Sequence, residues 1–215
     1  KTKQNKIDKF SHSSFSYAFH SDSIKIVSFL EIPYSVLQFV KNSNNYVAYY
    51  QASISAIEAN GNQIDQFVIR DSIVAYDYVE TKSWILNRKH FSTFRALKGK
   101  EIIVISELQD LDTRKKGLKK KNILYDFGGK NLGLLPPIFL LNLSGEWGFK
   151  SGKIPTYGQI VEEFGKGVDL NVSGFVSSSP FTLKVILSNN EVSDSVIVNK
   201  QYQSNYGFFN EYLFI

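Results

Sequence analysis

The stretch that most constrains this chain is residues 46–74. Two apolar-alternating runs meet at Asn60-Gly61. Asn-Gly is the strongest short hairpin signal, because a type I′ turn needs positive φ at both central residues and these two tolerate it best. Placing them at the tip sets a register. Glu58 faces Gln63, Ile57 faces Ile64, Ile54 faces Phe67 and Ala52 faces Ile69. Tyr46, Ala48, Tyr50, Ala52, Ile54 and Ala56 then share one face, with Gln51, Ser53 and Ser55 on the other. That is the period-2 pattern of a half-buried antiparallel strand, and Phe67 and Ile69 extend its apolar face.

The rest of the chain repeats the theme. Ile24–Glu31, Ser35–Lys41, Phe91–Leu97 and Glu101–Leu108 read as strands, with turn chemistry at Asn42–Asn45 and Lys98–Lys100. Pro33 suits an edge or a bulge because it cannot donate to a ladder. Beyond residue 122, Ile138–Leu143, Val168–Val172, Phe181–Leu187, Val192–Val198 and Phe208–Ile215 alternate or run apolar, and Asn189-Asn190 reads as a second I′ turn. No stretch holds a helical period; Ile160–Phe164 is the best candidate for one short turn. Short strands at this spacing predict an all-β fold of two tandem antiparallel β-sandwich (Ig-like) domains, at 24–117 and 118–215, with an extended N-terminal arm at 1–23.

Composition narrows the chemistry. The chain has no cysteine, which removes disulfides and thiolate sites, and no methionine, so Lys1 is expected to begin a processed product or a fragment. The net charge of +5 over 215 residues is modest and mostly dispersed. Nucleic-acid binders concentrate theirs, so no nucleic-acid partner is expected. The one local concentration is Arg114, Lys115, Lys116, Lys119, Lys120 and Lys121, six of the 25 basic residues. It reads as a solvated linker between the domains or as a contact for an anionic surface, lipid or protein.

The series Phe29-Leu-Glu-Ile-Pro-Tyr-Ser-Val-Leu-Gln-Phe-Val40, Tyr46-Val-Ala-Tyr-Tyr-Gln-Ala52, Asp77-Tyr-Val-Glu-Thr-Lys-Ser83, Leu97-Lys-Gly99 and Leu108-Gln-Asp-Leu-Asp-Thr113 resembles, in order, the N-terminal β-sandwich region of exported bacterial proteins named for a Gly-Trp-x-Thr-Asp (GWxTD) motif. The naming motif does not occur in these 215 residues, and a copy is expected past Ile215. The resemblance implies an exported, envelope-associated and non-enzymatic module, and it carries over no catalytic residue.

The residues that could carry chemistry do not assemble into a motif. His12, His20 and His90 lack metal-ligand spacing and read as exposed or capping histidines. No G-x-S-x-G or phosphate-loop pattern is present. Glu162-Glu163 reads as a solvated helical turn. Asp110 and Asp112, with Asp126, offer too few oxygens for a calcium loop and read as turn acids. Trp84, Trp147, Tyr157 and Tyr202 could form a sugar platform but suit core or interface packing better. The sequence thus predicts no catalytic, cofactor or metal residues and no small-molecule substrate. It predicts a structural or protein-interaction subunit of the bacterial cell envelope, in the periplasm or at the outer membrane, whose partners are other envelope proteins met through sheet edges, the arm and the last strand. A carbohydrate-binding or adhesin module, or the non-catalytic region of an envelope enzyme, is the alternative.

Overall fold

A computed structural model describes residues 6–124, 133–141, 154–155, 169–176, 180–189, 192–202 and 207–214. Strands are β1 (Ser11–His20), β2 (Ser23–Pro33), β3 (Val40–Asn42), β4 (Asn45–Glu58), β5 (Gln63–Ala75), β6 (Asn87–Leu97), β7 (Ile102–Asp110), β8 (Lys116–Ile123), β9 (Gly133–Leu134), β10 (Ile138–Leu141), β11 (Ile154–Pro155), β12 (Asp169–Phe175), β13 (Phe181–Asn189), β14 (Val192–Tyr202) and β15 (Phe208–Phe214). Two 3-10 turns, Tyr34–Val36 and Glu80–Lys82, are the helical elements among the described residues. None is long and apolar enough to cross a membrane.

The chain divides into two compact units. One comprises residues 1–15, 26–96 and 100–124, and the other 16–25, 97–99 and 125–215. Strands β1 and β2 therefore contribute residues to both. Residues 11–20, expected as part of an extended arm, are a paired strand in the sheet β1-β2-β6. The expected strand at Ser35–Lys41 is instead a 3-10 turn and the short β3. Pro33 ends β2 there, with φ at −61°, and its ring offers no N–H to a ladder.

In the first unit, β4 is the centre of a sheet. It pairs with β5 on one edge and with β7 and β3 on the other, and β8 continues beyond β7. Ala48, Tyr50, Ala52, Ile54 and Ala56 are all buried, as their alternation requires. Ile102, Val104 and Leu108 on β7, with Ile73 and Ala75 on β5, complete that inner face. Leu30 and Ile32 on β2 and Phe94 on β6 are buried in the same unit, and His90 of β6 meets Tyr50 of that face.

The hairpin register holds through most of its length: Ala52 faces Ile69, Ile54 faces Phe67 and Ala56 faces Asp65. It departs at the tip. Gly61 N–H donates to the Glu58 carbonyl at 2.9 Å, and Glu58 N–H donates to the Asn62 carbonyl. The loop is thus three residues, with Gly61 at φ +91° and Asn60 outside the positive-φ region. This is a type I turn closed by a glycine bulge rather than the expected type I′ turn. Asn60 serves through its side chain instead, accepting from Asn62 N–H and donating to Glu58. The longer loop slips the register by one, so Ile57 faces Gln63. A bulge that leaves Ile64 unpaired restores it before Ala56.

The β7–β8 turn is locked by one buried carboxylate. Asp110 is 1% exposed. Its Oδ1 accepts from the N–H groups of Asp112 and Thr113, and its Oδ2 from Gln38 N–H. Arg114 adopts φ +59° in that turn. Three backbone donors thus rely on one side chain, which ties the turn to the segment before β3.

In the second unit, β12 pairs with β15 over seven residues and with β10 and β9 on its other edge. Leu170, Val172, Leu183 and Phe209 form its core, with Val176, Phe181, Val185 and Leu213 against them. The opposite, polar face of β12 is buried too. Asn171 donates to Asn210 and to the Glu211 carbonyl, and Ser173 Oγ accepts from Ala18 N–H. At Gly174 a Cβ would strike the Gly133 carbonyl oxygen and the Phe209 ring. Ile160–Phe164 and the Asn190 half of the second expected turn lie outside the described residues.

Replacing Asp110 with Ala is expected to lower stability by about 2 kcal/mol, since it leaves three part-buried backbone donors without their acceptor. Asp110→Asn, which keeps one carbonyl oxygen, recovers part of that loss. Urea unfolding of the three proteins measures it.

Candidate functional site

The six basic residues do not form one patch. Arg114 and Lys115 lie in the β7–β8 turn, and Lys116–Lys121 lie in β8, an edge strand of the sheet rather than a linker. Strand alternation then splits them. Lys116 and Lys120 point to the outer face. Lys119 and Lys121 lie on the inner face with buried Gly117 and Ile123. Lys119 Nζ sits 5.6 Å from the centre of the Phe10 ring, and Lys121 lies close enough to act on His12.

The histidines divide as well. His20 is exposed and edges onto Phe19. His12 is half-buried, its Nε2 2.8 Å from Ser14 Oγ, which in turn meets Ser28 Oγ. Burial holds the His12 imidazole down at about 4, and the Lys121 charge adds to the effect. His90, expected to be exposed or capping, is buried on β6 because its inward position faces β4. Its Nε2 lies 2.7 Å from Tyr50 Oη, which also donates to Asp71 Oδ2 at 3.2 Å. Arg88 Nε stands 3.8 Å from the same carboxylate oxygen. Burial pushes Tyr50 up, reinforced by Asp71, and pushes His90 down. Both groups are therefore neutral at pH 7, and Tyr50 is fully enclosed, which makes this a satisfied core network. Among the described residues no three His, Cys, Asp or Glu side chains converge on a metal position. Asp126, Glu162, Glu163, Trp147 and Tyr157 lie outside the described residues, and of Tyr202 only its place at the end of β14 is described.

The least expected feature is the connection between β5 and β6. Its apolar side chains face solvent: Tyr76 is 75% exposed, Val79 77%, Trp84 54% and Ile85 87%, with Tyr78 and Leu86 also exposed. Its polar side chains are turned inward onto the backbone. Asp77 Oδ1 accepts from Glu80 N–H, while Glu80 Oε2 reaches back to Tyr76 N–H, the reciprocal logic of a capping box. Thr81 is buried and donates to the Tyr78 carbonyl. Ser83 Oγ accepts from the N–H groups of Ile85 and Leu86. Backbone bonds from Ser35 to Ser83 and from Tyr34 to Leu86 pin the loop to the preceding 3-10 turn. Lys82 lies over the Tyr78 ring and Lys9 over Trp84. The result is an apolar surface on a loop held in shape by its own side-chain-to-backbone hydrogen bonds.

The sequence reads as a polar connection over Ala75–Ser83 and as a strand from Phe91, with Trp84–His90 left unassigned between them. The signal that reading passes over is Ser83-Trp84-Ile85-Leu86-Asn87, three bulky residues with no alternation, set between polar neighbours. A buried strand of one sheet face alternates, and this run does not.

No family model matches the chain, and no curated protein matches it. Among solved structures it is similar to a calcium-binding mutant of Bacteroides uniformis β-glucuronidase 2, at 8% identity and a TM-score of 0.35, over 61% of this chain and 14% of that one. It is also similar to another Bacteroides uniformis β-glucuronidase structure, at 7% identity and a TM-score of 0.36, over 58% of this chain and 13% of that one. The chain thus spans a small fraction of those enzymes, and likeness at this level carries neither fold nor activity across. What stands on the structure is an all-β protein of antiparallel sheets.

The two depressed histidines set a pH dependence. Unfolded, His12 takes up a proton near its ordinary 6.5; folded, it does so only near 4. Stability is therefore complete above pH 6.5 and declines as pH falls from 6.5 towards 4. The loss for His12 is on the order of 2–3 kcal/mol, and His90 adds in the same direction. Denaturant unfolding at pH 7.5 and 4.5 is expected to show a smaller acid loss in His12→Gln than in wild type. Equal losses contradict the assignment.

Proposed function

We propose that this chain is a non-catalytic protein-interaction subunit of a bacterial cell-envelope assembly, built as tandem Ig-like β-sandwich units. The observation that carries the interaction is the β5–β6 loop. Six large apolar side chains stand exposed within eleven residues, while the loop's polar groups close on its own backbone. Isolated exposed apolar residues are ordinary, but a contiguous cluster marks a binding surface. Tyr and Trp dominate interface hot spots, and a preformed loop loses little entropy on docking. Asp77 and Glu80 stand at the patch together with Lys82 over Tyr78 and Lys9 over Trp84, a mixed-charge surround that fits the polar rim of a protein interface. The envelope location rests on the resemblance of residues 29–117 to the exported GWxTD proteins, with which the all-β architecture agrees. Other envelope proteins are accordingly the partners.

A photo-crosslinking residue at position 85, expressed in the native host, is expected to form an adduct with one envelope protein, and the same probe at Gln66 is not. Trp84→Ser with Ile85→Ser is expected to weaken that complex by about 2 kcal/mol or more. Because both side chains are exposed, unfolding stability stays within about 0.5 kcal/mol. Adducts with lipid alone, or equal adducts from both positions, overturn the reading.

A further inference from the structure

We propose that the outer face of the sheet β5-β4-β7-β8 binds an anionic glycan, at a site separate from the β5–β6 loop. The strand registers align Arg70, Gln51, Gln109 and Lys116 in one row across four strands, and Val68, Ser53, Glu107 and Leu118 in the next. Adjacent strands lie about 4.8 Å apart, so the first row presents a guanidinium, two carboxamides and an ammonium over about 14 Å. Beside it lies a hollow of about 300 Å³ lined by Lys6, Gln51, Ser53, Glu107, Gln109 and Lys116, a volume at the small end of ligand sites.

These groups are poised rather than consumed. Arg70 Nε donates to Gln51 Oε1 at 2.6 Å, which fixes the carboxamide and leaves its NH₂ to donate elsewhere. Among the described residues the side chains of Glu107, Gln109 and Lys116 have no hydrogen bond or ion pair. Tyr49, half-exposed, lies on the same face two residues before Gln51 and offers a flat ring to a pyranose. Lys6 reaches the rim because Gly117 lacks a side chain: a Cβ there would strike the Ile7 carbonyl oxygen and the Phe10 ring. Ile7 N–H can then bond the Lys116 carbonyl.

The chemistry selects the ligand. Paired amide donors and acceptors suit hydroxyl-rich rings. Arg70, Lys6 and Lys116 outnumber Glu107, and Lys6 is the member already offset by Asp8. The balance favours a sugar carrying carboxylate or sulfate. An extended peptide adds as a strand only at the open edges of β5 or β8, not over the hollow, where β4 and β7 are bonded on both sides. A nucleic-acid strand wants successive stacking aromatics, and the row presents none.

The test is calorimetric titration of the whole chain with hexagalacturonate, a chondroitin sulfate hexasaccharide and neutral cellohexaose. Saturable binding is expected for an anionic hexasaccharide, at least tenfold tighter than for cellohexaose. Gln109→Ala and Lys116→Ala are each expected to weaken it tenfold or more, and Glu107→Gln to strengthen it. Lys120→Ala, on the same face but outside the hollow, is expected to change it less than twofold. Circular dichroism confirms that each variant is folded. Absence of saturable binding by either anionic hexasaccharide overturns the proposal, as does equal binding of cellohexaose. An equal loss in Lys120→Ala also overturns it, since diffuse charge would then suffice.

Discussion

Strand β4 is hydrogen-bonded on both edges for most of its fourteen residues, and most other features of the first unit follow from that. A strand paired on both sides cannot slide without breaking two ladders, so its alternation is imposed on its neighbours. The even positions set the buried face: Tyr50 reaches His90, and Ile54 and Ala56 meet the core residues of β7. Each fully buried aliphatic side chain there contributes about 1.5–3 kcal/mol. The odd positions bring Gln51 and Ser53 into line with Gln109 and Glu107 on the outside. One register thus fixes the core and the outer polar face together, and a one-residue slip would exchange them.

The edge of that sheet shows how the fold restrains itself. On β5, an edge strand, Asp71 points inward, towards Tyr50, His90 and Arg88. An inward-pointing charge is a recurrent way of keeping an edge from recruiting further strands. It is tolerated because Tyr50 supplies a hydrogen bond and Arg88 an opposite charge. The neutral His90 completes the arrangement. A Tyr–His–Asp grouping that could be taken for acid–base machinery is explained by the needs of an edge.

What was legible in the sequence was whatever depends on period and turn. The strands β2, β4–β7 and β12–β15 were readable from alternation, and Ala52–Ile69 and Ile54–Phe67 pair as the Asn60-Gly61 signal requires. The turn type was not, because Asn-Gly serves equally a three-residue loop in which only glycine takes positive φ. Nor was the fate of the basic run. Lysines at 116–121 read as a linker by charge, and only the pairing of β8 with β7 shows that alternation sends Lys119 and Lys121 inward. The exposed loop was hidden for a related reason. Asp77, Glu80, Thr81 and Ser83 look like solvated residues in one dimension, yet each is spent on a backbone N–H or carbonyl. These bonds span only two to four residues, but the same residue types serve equally in a solvated turn, so their local pattern does not by itself turn the apolar neighbours outward.

The bond between Ile7 and Lys116, allowed by the bare α-carbon of Gly117, has a bearing on the order of folding. It joins residues more than a hundred positions apart, so the segment before β1 cannot be seated until β8 exists. Contacts of such separation form late, after the loop between them has been closed by others. During synthesis, residues 6–10 thus remain unplaced while the central hairpin and β7 assemble. The segment at 6–10 is a clasp fitted late onto the Lys116 end of β8, and the rest of that strand keeps its place as the sheet's edge.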